Sequence, residues 1–304
     1  SEAAPGKTVL AVLMGRKGLP HGRAELHASQ IPAYIFPESA ARALNALNKQ
    51  REWMQRAPCN PLPMDVDRSA AARIIGQAQR EGREKLTELE ALQLLAAYRI
   101  PVADAFLARD EASLVAAVRD IDGPVALKIV SPDIIHKTDV GGVRVGVTGE
   151  GNAKAAYRAI LSHVGAAQPE AQITGVLVQR MVPHGRETIV GISRDPEFGP
   201  LLMFGLGGIL VEALGDVVFR IPPLDDAQAL DMLGQIRGAR ILDGVRGEQP
   251  VDREALASVL RRVGQLAMDF PAILELDVNP LLAFPDGAIA VDARVRIANV
   301  SHTP

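Results

Sequence analysis

In the segment ILELDVNPLLAF, Glu275, Asp277 and Asn279 recur at every second position, and Asp292 follows in the next apolar stretch, AIAVDARV. Side chains alternate faces along a strand, so these three polar groups fall on one side and Leu274, Leu276 and Val278 on the other. Pro285, Asp286 and Gly287 read as a hairpin turn. With Asp286 and Gly287 as its two central residues, Asp292 stands opposite Leu281, on the face shared by 277 and 279. Hard oxygen donors converging in this way suit Mg2+, which takes one or two carboxylates together with phosphate oxygens and water. The competing structural reading is the solvated outer face of an antiparallel hairpin.

Charge of the opposite sign is concentrated upstream. Lys128 is the one polar side chain of PVALKIV. An unpaired ammonium is costly to bury, so Lys128 either blocks an exposed sheet edge or faces an anion. The loop after it, SPDIIHKTDVGGV, gathers His136, Lys137, Thr138 and Asp139 ahead of Gly141 and Gly142. Paired glycines let backbone N–H groups close on phosphate oxygens while lysines supply charge. The spacing is not that of a Walker A loop. His136 reads either as a bystander or as a nucleophile that forms a covalent intermediate.

Three further segments offer contacts to a nucleotide. In VLVQRMVPHGRE, Gln179 and Arg180 interrupt an apolar strand, and backbone groups beside Met181 are placed to meet an adenine edge, with Glu187 reaching a ribose hydroxyl. An ordinary hairpin explains the same spacing. FGLGG carries Gly205, Gly207 and Gly208, either a second phosphate loop or a bulge. Arg220 and Arg246 have the permanent charge to clamp phosphate, or to pair with acids nearby.

These residues need elements to hold them. The chain has 304 residues, room for two cores. A net charge of −3 and 4% aromatics argue against nucleic-acid binding. Cys59 is alone, which excludes a disulfide framework and suits a reducing compartment. No apolar run has the length of a membrane span, and SEAAPGKTV lacks a signal peptide's apolar core, so a cytoplasmic location is expected. Residues 7–15 and 31–36 read as buried strands separated by a polar loop with His21, Gly22 and Arg23, and Pro37 opens a helix to about Arg56. Two strands are too few for a parallel α/β sheet, so 1–58 reads as part of a larger domain. CNPLP at 59–63 marks a break, and residues 66–84 read as a polar, Arg-rich helix, so that 59–84 is expected to be a linker. From 85 to 304 the pattern mixes helices with adjacent antiparallel strands, which predicts α+β layers. Thr87 and Glu90 form a capping box at the start of its first helix.

Together the segments SPDIIHKTDVGGV, VLVQRMVPHGRE, DPEFGPLLMFGLGG, GVRGEQP, ELDVNPLLAF and VDARV resemble the ATP-grasp domain of ADP-forming acyl-CoA synthetases over nearly all of residues 84–298. Residues 7–56 are similar to the end of the flavodoxin-like CoA-ligase domain that precedes ATP-grasp in single-chain members. The resemblance implies an ATP-grasp fold and the reaction acid + CoA + ATP to acyl-CoA + ADP + phosphate, by way of an acyl phosphate and a phosphohistidine. It implies that Lys128 binds ATP phosphate and that Gln179, Arg180, Met181 and Glu187 hold the nucleoside; Lys137, Gly207, Gly208, Arg220 and Arg246 stay candidates for cofactor binding on the residue reading above. Asp277, Asn279 and Asp292 would hold Mg2+, and His136 would carry phosphate on a mobile loop.

The CoA-binding domain and second histidine of full-length members are not recognisable, so those modules are expected elsewhere in the polypeptide or in a partner subunit. The isolated chain is then expected to bind Mg-ATP without making acyl-CoA. Two other readings compete: a non-catalytic ATP-grasp module regulating a protein lysine acetyltransferase, and an ATP-grasp carboxylate–amine ligase. An open sheet edge near residues 7–36 leaves room for self-association.

Overall fold

The computed structural model describes residues 6–14, 19–55, 59, 61, 63–134, 136–208, 215–245 and 247–299. The chain divides into two units, Ser1–Pro58 and Cys59–Pro304. In the first, β1 (Ala11–Val12) and β2 (Ala33–Tyr34) pair in parallel, with α1 (Leu19–Ala28) between them and α2 (Pro37–Met54) after them. The expected polar loop is thus a helix: Pro20 sits in its first turn, where a missing N–H is tolerated. Ala40 is buried, whereas Ile35, Phe36, Leu44, Leu47 and Trp53 are exposed.

The second unit has two sheets, each with its own core. The smaller is ordered β3-β6-β4-β5, built from β3 (Ala105–Ala108), β4 (Val125–Val130), β5 (Val143–Val147) and β6 (Gly175–Arg180). Its neighbours are all antiparallel. Helices α5 (Glu111–Ile121) and α6 (Glu150–Ala167) cover one face, packing Leu114, Val118, Tyr157 and Ile160 on Leu127, Ile129, Val176 and Val178. Asp110 starts α5 with a side chain that accepts from the Ser113 N–H, a cap worth about 1 kcal/mol.

The larger sheet is ordered β11-β10-β7-β8-β9, with β12 also on β10. Its strands are β7 (Arg186–Asp195), β8 (Gly199–Leu206), β9 (Val217–Arg220), β10 (Ile273–Phe284), β11 (Gly287–Ala290) and β12 (Ala293–Ile297). Helices α7 (Asp226–Gly234) and α8 (Arg253–Asp269) bury Met232, Leu256, Leu260 and Val263 against Ile192, Leu202, Phe204 and Leu276. The same core takes in α3 (Arg68–Arg80) and α4 (Glu88–Ala97). The helix expected within the linker is present and is packed into the core: Ala71, Ile75 and Ala78 make a narrow buried stripe along an otherwise polar α3. No described helix is long and apolar enough to cross a membrane.

Candidate functional site

Registers in the larger sheet decide which side chains share a face. Asp277 pairs with Gly191, Gly191 with Met203, and Met203 with Phe219. The adjacent row, Leu276, Ile192 and Leu202, belongs to the helix-covered core. Asp277 therefore projects from the sheet face opposite α7 and α8. Glu187 lies on that same face of β7, at the alternate positions that include Ile189 and Gly191. Gly207 donates its N–H to the Glu187 carbonyl at 2.8 Å. A Cβ on Gly207 would fall 2.8 Å from the Glu187 Cβ, and one on Gly208 2.8 Å from its Oε2. Gly207 and Gly208 thus close on Glu187.

The hairpin turn falls one residue earlier than the sequence suggests. Phe284 pairs with Gly287 and Leu281 with Ala290, so Pro285 and Asp286 are the central residues. This moves the register by two residues, and a bulge between Val278 and Leu281 turns Leu281, expected on the face of Asp277 and Asn279, into the helix-covered core. Asp292 comes to lie across from Asn279, whose N–H donates to the Asp292 carbonyl at 3.1 Å. Cross-strand partners on this face run Glu275 with Arg296, Asp277 with Arg294, then Asn279 beside Asp292. The Glu275 carboxylate is committed to Arg296 at 2.5 Å. Asp277 and Asp292 accept no side-chain hydrogen bond from a described residue. Burial pushes both carboxyls up from the ordinary range; for Asp292 the Glu88 charge adds to this, while Lys128, Lys137 and Arg294 oppose it.

Lys128 is on β4, an interior strand, so it guards no edge. It pairs with Leu177, on the sheet face away from α5 and α6. There its Nζ donates to Glu88 Oε1 at 2.5 Å, and Lys137 Nζ donates to Glu88 Oε2 at 2.6 Å. Glu88 is the first residue of α4 and its side chain is 8% exposed. Burial raises its pKa, but the two lysines outweigh this and hold it below the ordinary glutamate range. The sequence analysis missed Glu88, treating the start of α4 as a capping box alone. The signal was two lysines assigned to one site with no acid to balance them when it is empty.

The loop glycines serve a different purpose from the one expected. Gly141 donates to the Thr138 carbonyl at 3.0 Å and Gly142 to the Lys137 carbonyl at 2.7 Å, so both N–H groups are spent inside the loop. A Cβ on Gly142 would meet Ile129 Cγ2 at 2.5 Å. The glycines fold the loop tightly onto β4 and present Lys137, with the exposed His136 beside it.

Other expected contacts are engaged elsewhere. Gln179 is buried and donates to the Val291 carbonyl at 2.7 Å, next to Asp292. Arg180 binds Asp104 at 2.8 Å, and its N–H and that of Met181 donate to the carbonyls of Asp104 and Pro124. Arg220 pairs with Leu202, which puts it on the helix-covered face, bonded to Asp231 of α7 at 3.3 Å. It is not on the face that carries Asp277. Arg246 lies outside the described residues.

A family model described as an ATP-grasp domain matches residues 77–297. The chain is 48% identical over 231 residues to the beta subunit of ADP-forming acetate–CoA ligase I of Pyrococcus furiosus, covering 76% of this chain and 99% of that one. The chain belongs to the ADP-forming acyl-CoA ligase family. Residues 77–297 are its ATP-grasp domain. Acetate–CoA ligase I of Archaeoglobus fulgidus is 41% identical over 97% of this chain, which spans 43% of that longer relative. Among solved structures, acetyl-coenzyme A synthetase 1 of Ca. Korarchaeum cryptofilum is similar with a TM-score of 0.68 and 40% identity, covering 75% of this chain and 100% of that one. That structure holds coenzyme A and Mg-AMPPCP, with a phosphohistidine segment pointing towards the nucleotide binding site. The ATP-grasp fold expected from the resemblance is thus shown; the flavodoxin-like affinity of residues 1–58 is not.

Hard oxygen donors fit a divalent cation here: two carboxylates raised by desolvation, without cationic hydrogen-bond donors, and the Asn279 amide beside them. Among the described residues no set of three or more His, Cys, Asp or Glu side chains encloses a metal.

A pH dependence follows. A carboxyl whose pKa is raised by folding binds its proton more tightly in the folded state, so its stabilising effect is complete below the unfolded pKa and is lost as pH rises through the folded one. Without metal or nucleotide, the chain is expected to lose stability from this pair as pH rises out of the ordinary carboxylate range. Urea midpoints compared with those of the Asp277→Asn, Asp292→Asn double variant isolate the effect, since Glu88 and Glu90 titrate with the opposite sign in both. Parallel curves would refute it.

Proposed function

We propose that this chain binds Mg-ATP in the cleft between its two sheets and passes the γ-phosphoryl group to His136, as the nucleotide-handling part of an acyl-CoA synthetase. The observation that carries this reading is the convergence of Lys128 and Lys137 with Asp292, which feels both their charges, one residue along the chain from His136. In the proposed step an imidazole nitrogen of His136 forms a bond to the γ-phosphorus while the bond from that phosphorus to the β,γ-bridging oxygen breaks. ADP leaves with the bond's electron pair. Lys128 neutralises charge on the phosphates, and Asp277, Asn279 and Asp292 would hold Mg2+. The ion, when bound, offsets phosphate charge and orients the reacting group. Glu187, folded over by Gly207 and Gly208, is about 13 Å along β7 from Gly191, beside Asp277, a span over which a nucleoside triphosphate can reach. We assign Glu187 to the ribose.

Arg180, Met181 and Arg220 are not part of this reading. We assign Gln179 to positioning the Asp292 segment through Val291. The acyl phosphate and CoA steps belong, on this proposal, to modules elsewhere in the polypeptide or in a partner subunit, as the beta-subunit name of the Pyrococcus relative suggests. A reducing cytoplasm suits the free thiol of Cys59. The regulatory and carboxylate–amine ligase readings gain no support from the relatives.

Incubation with γ-labelled ATP tests the step. The chain is expected to gain acid-labile, base-stable label, and His136→Asn to gain none while still binding Mg-ADP. Equal labelling of the variant would overturn the proposal.

A further inference from the structure

Glu88 has a geometry that the proposed phosphoryl transfer does not require. Its carboxylate is nearly buried at the N-terminus of α4, a helix of the large core, yet both of its partners belong to the small-sheet lobe. Lys128 projects from the sheet itself. Lys137 stands on the loop that carries His136, and both ends of that loop run into strands of the small sheet, β4 and β5. The Lys137–Glu88 bond at 2.6 Å thus ties the histidine loop to the opposite lobe.

The loop's other described hydrogen bonds are local, and Ile134 and Val140 pack it into the small-sheet core. Gly141 and Gly142 close on Thr138 and Lys137, and the Asp133 carboxylate accepts from the Gln172 N–H at 2.7 Å near the base. Those bonds fix the shape of the loop and its root without fixing where its tip points across the cleft. One oxygen of Glu88 is taken by Lys128, whose backbone is fixed in β4, and the other accepts from Lys137.

We propose that Glu88 is a positioning residue that latches the His136 loop at the nucleotide side through Lys137. This rests on the reading of His136 as the phosphate carrier. The carboxylate and the terminal phosphates of a nucleotide are alternative anions for the same ammonium groups. In the empty chain Glu88 holds the loop docked and keeps the two lysines from repelling each other. When phosphate enters, Lys137 is drawn from one anion to the other, so the loop loses its tie to α4 in the same event that brings the histidine its substrate.

Amide hydrogen exchange of the full chain tests the latch without relying on activity. In the absence of nucleotide, Glu88→Gln and Lys137→Met are each expected to raise exchange across residues 136–140 by about tenfold, the effect of losing one charge-assisted bond. Exchange in the core of α4 should stay as it was. The two changes combined should do no more than either alone, because both cut the same bond. Affinity of Glu88→Gln for Mg-ADP should hold or increase, since an anion competing for the lysines is gone. Its single-turnover labelling of His136 should fall. Unchanged exchange over 136–140, or additive effects in the double variant, would overturn the latch. Absence of labelling in the unmodified chain would instead count against the phosphocarrier reading and leave the exchange result to decide the latch alone. If Glu88→Gln does not fold, Lys137→Met, which leaves Glu88 its bond to Lys128, supplies the same exchange readout.

Discussion

Asp292→Asn is expected to weaken Mg-nucleotide binding by about a hundredfold, close to 2.7 kcal/mol, and to make the empty chain more stable. The two effects have opposite signs because they come from one cause. Asp292 is held in a largely desolvated position, beside the Glu88 charge and without a hydrogen-bond donor of its own. That costs folding energy when no cation is present and supplies a strong ligand when one is. Neutralising it removes the cost, a gain of about 1 kcal/mol in the metal-free protein. Calorimetric titration with Mg-ADP and thermal melts with and without Mg2+ measure both halves. A variant that melts lower in the absence of metal, or binds Mg-nucleotide as well as before, would contradict this assignment.

Lys128→Met is expected to lower the rate of phosphoryl transfer by on the order of 10²–10³-fold, the usual effect of removing one preorganised charge from a developing anion. Methionine keeps the apolar stem and volume, so packing against Leu177 is preserved. What is lost is one of the two cations on Glu88, which should destabilise the empty chain by about 2 kcal/mol. Restoring stability through Glu88→Gln in the same chain, without restoring transfer, would separate the structural role of Lys128 from the chemical one. Single-turnover labelling beside urea denaturation is sufficient. Transfer that returns along with stability would show that Lys128 acts only through folding.

Much of this site is legible in the sequence because strand alternation is a strong constraint. Asp277 and Asn279 alternate as expected and Asp292 comes beside Asn279, although the turn lies one residue from where Asp-Gly preference puts it and a bulge after Val278 sends Leu281, expected on their face, into the core. The helices α5, α7 and α8 are readable for a similar reason: each pairs a capping acid with a clear apolar period. What escapes is pairing across long sequence separations. Nothing in VVFRIPPL says that Arg220 shares the row of Leu202, and so faces Asp231 rather than the cleft. Gln179 in a strand resembles a binding residue until the Val291 carbonyl is seen to fill its reach. Glu88 is hidden by its neighbours, for a threonine and glutamate that cap a helix explain the local sequence without it. In α3 the buried stripe is mostly alanine, too small to outweigh the arginines around it.

The bond from Gln179 to Val291 has a consequence for how the cleft fills. It fastens the middle of the small sheet to the backbone next to Asp292, while Lys128 is fastened to α4 close by. A wide gape between the lobes would pull the backbone that seats Asp292 and unhook the lysine together. Cation and nucleotide should accordingly arrive as one complex, with free Mg2+ alone a poor visitor, and the closed posture of the lobes would be the state in which the site is whole.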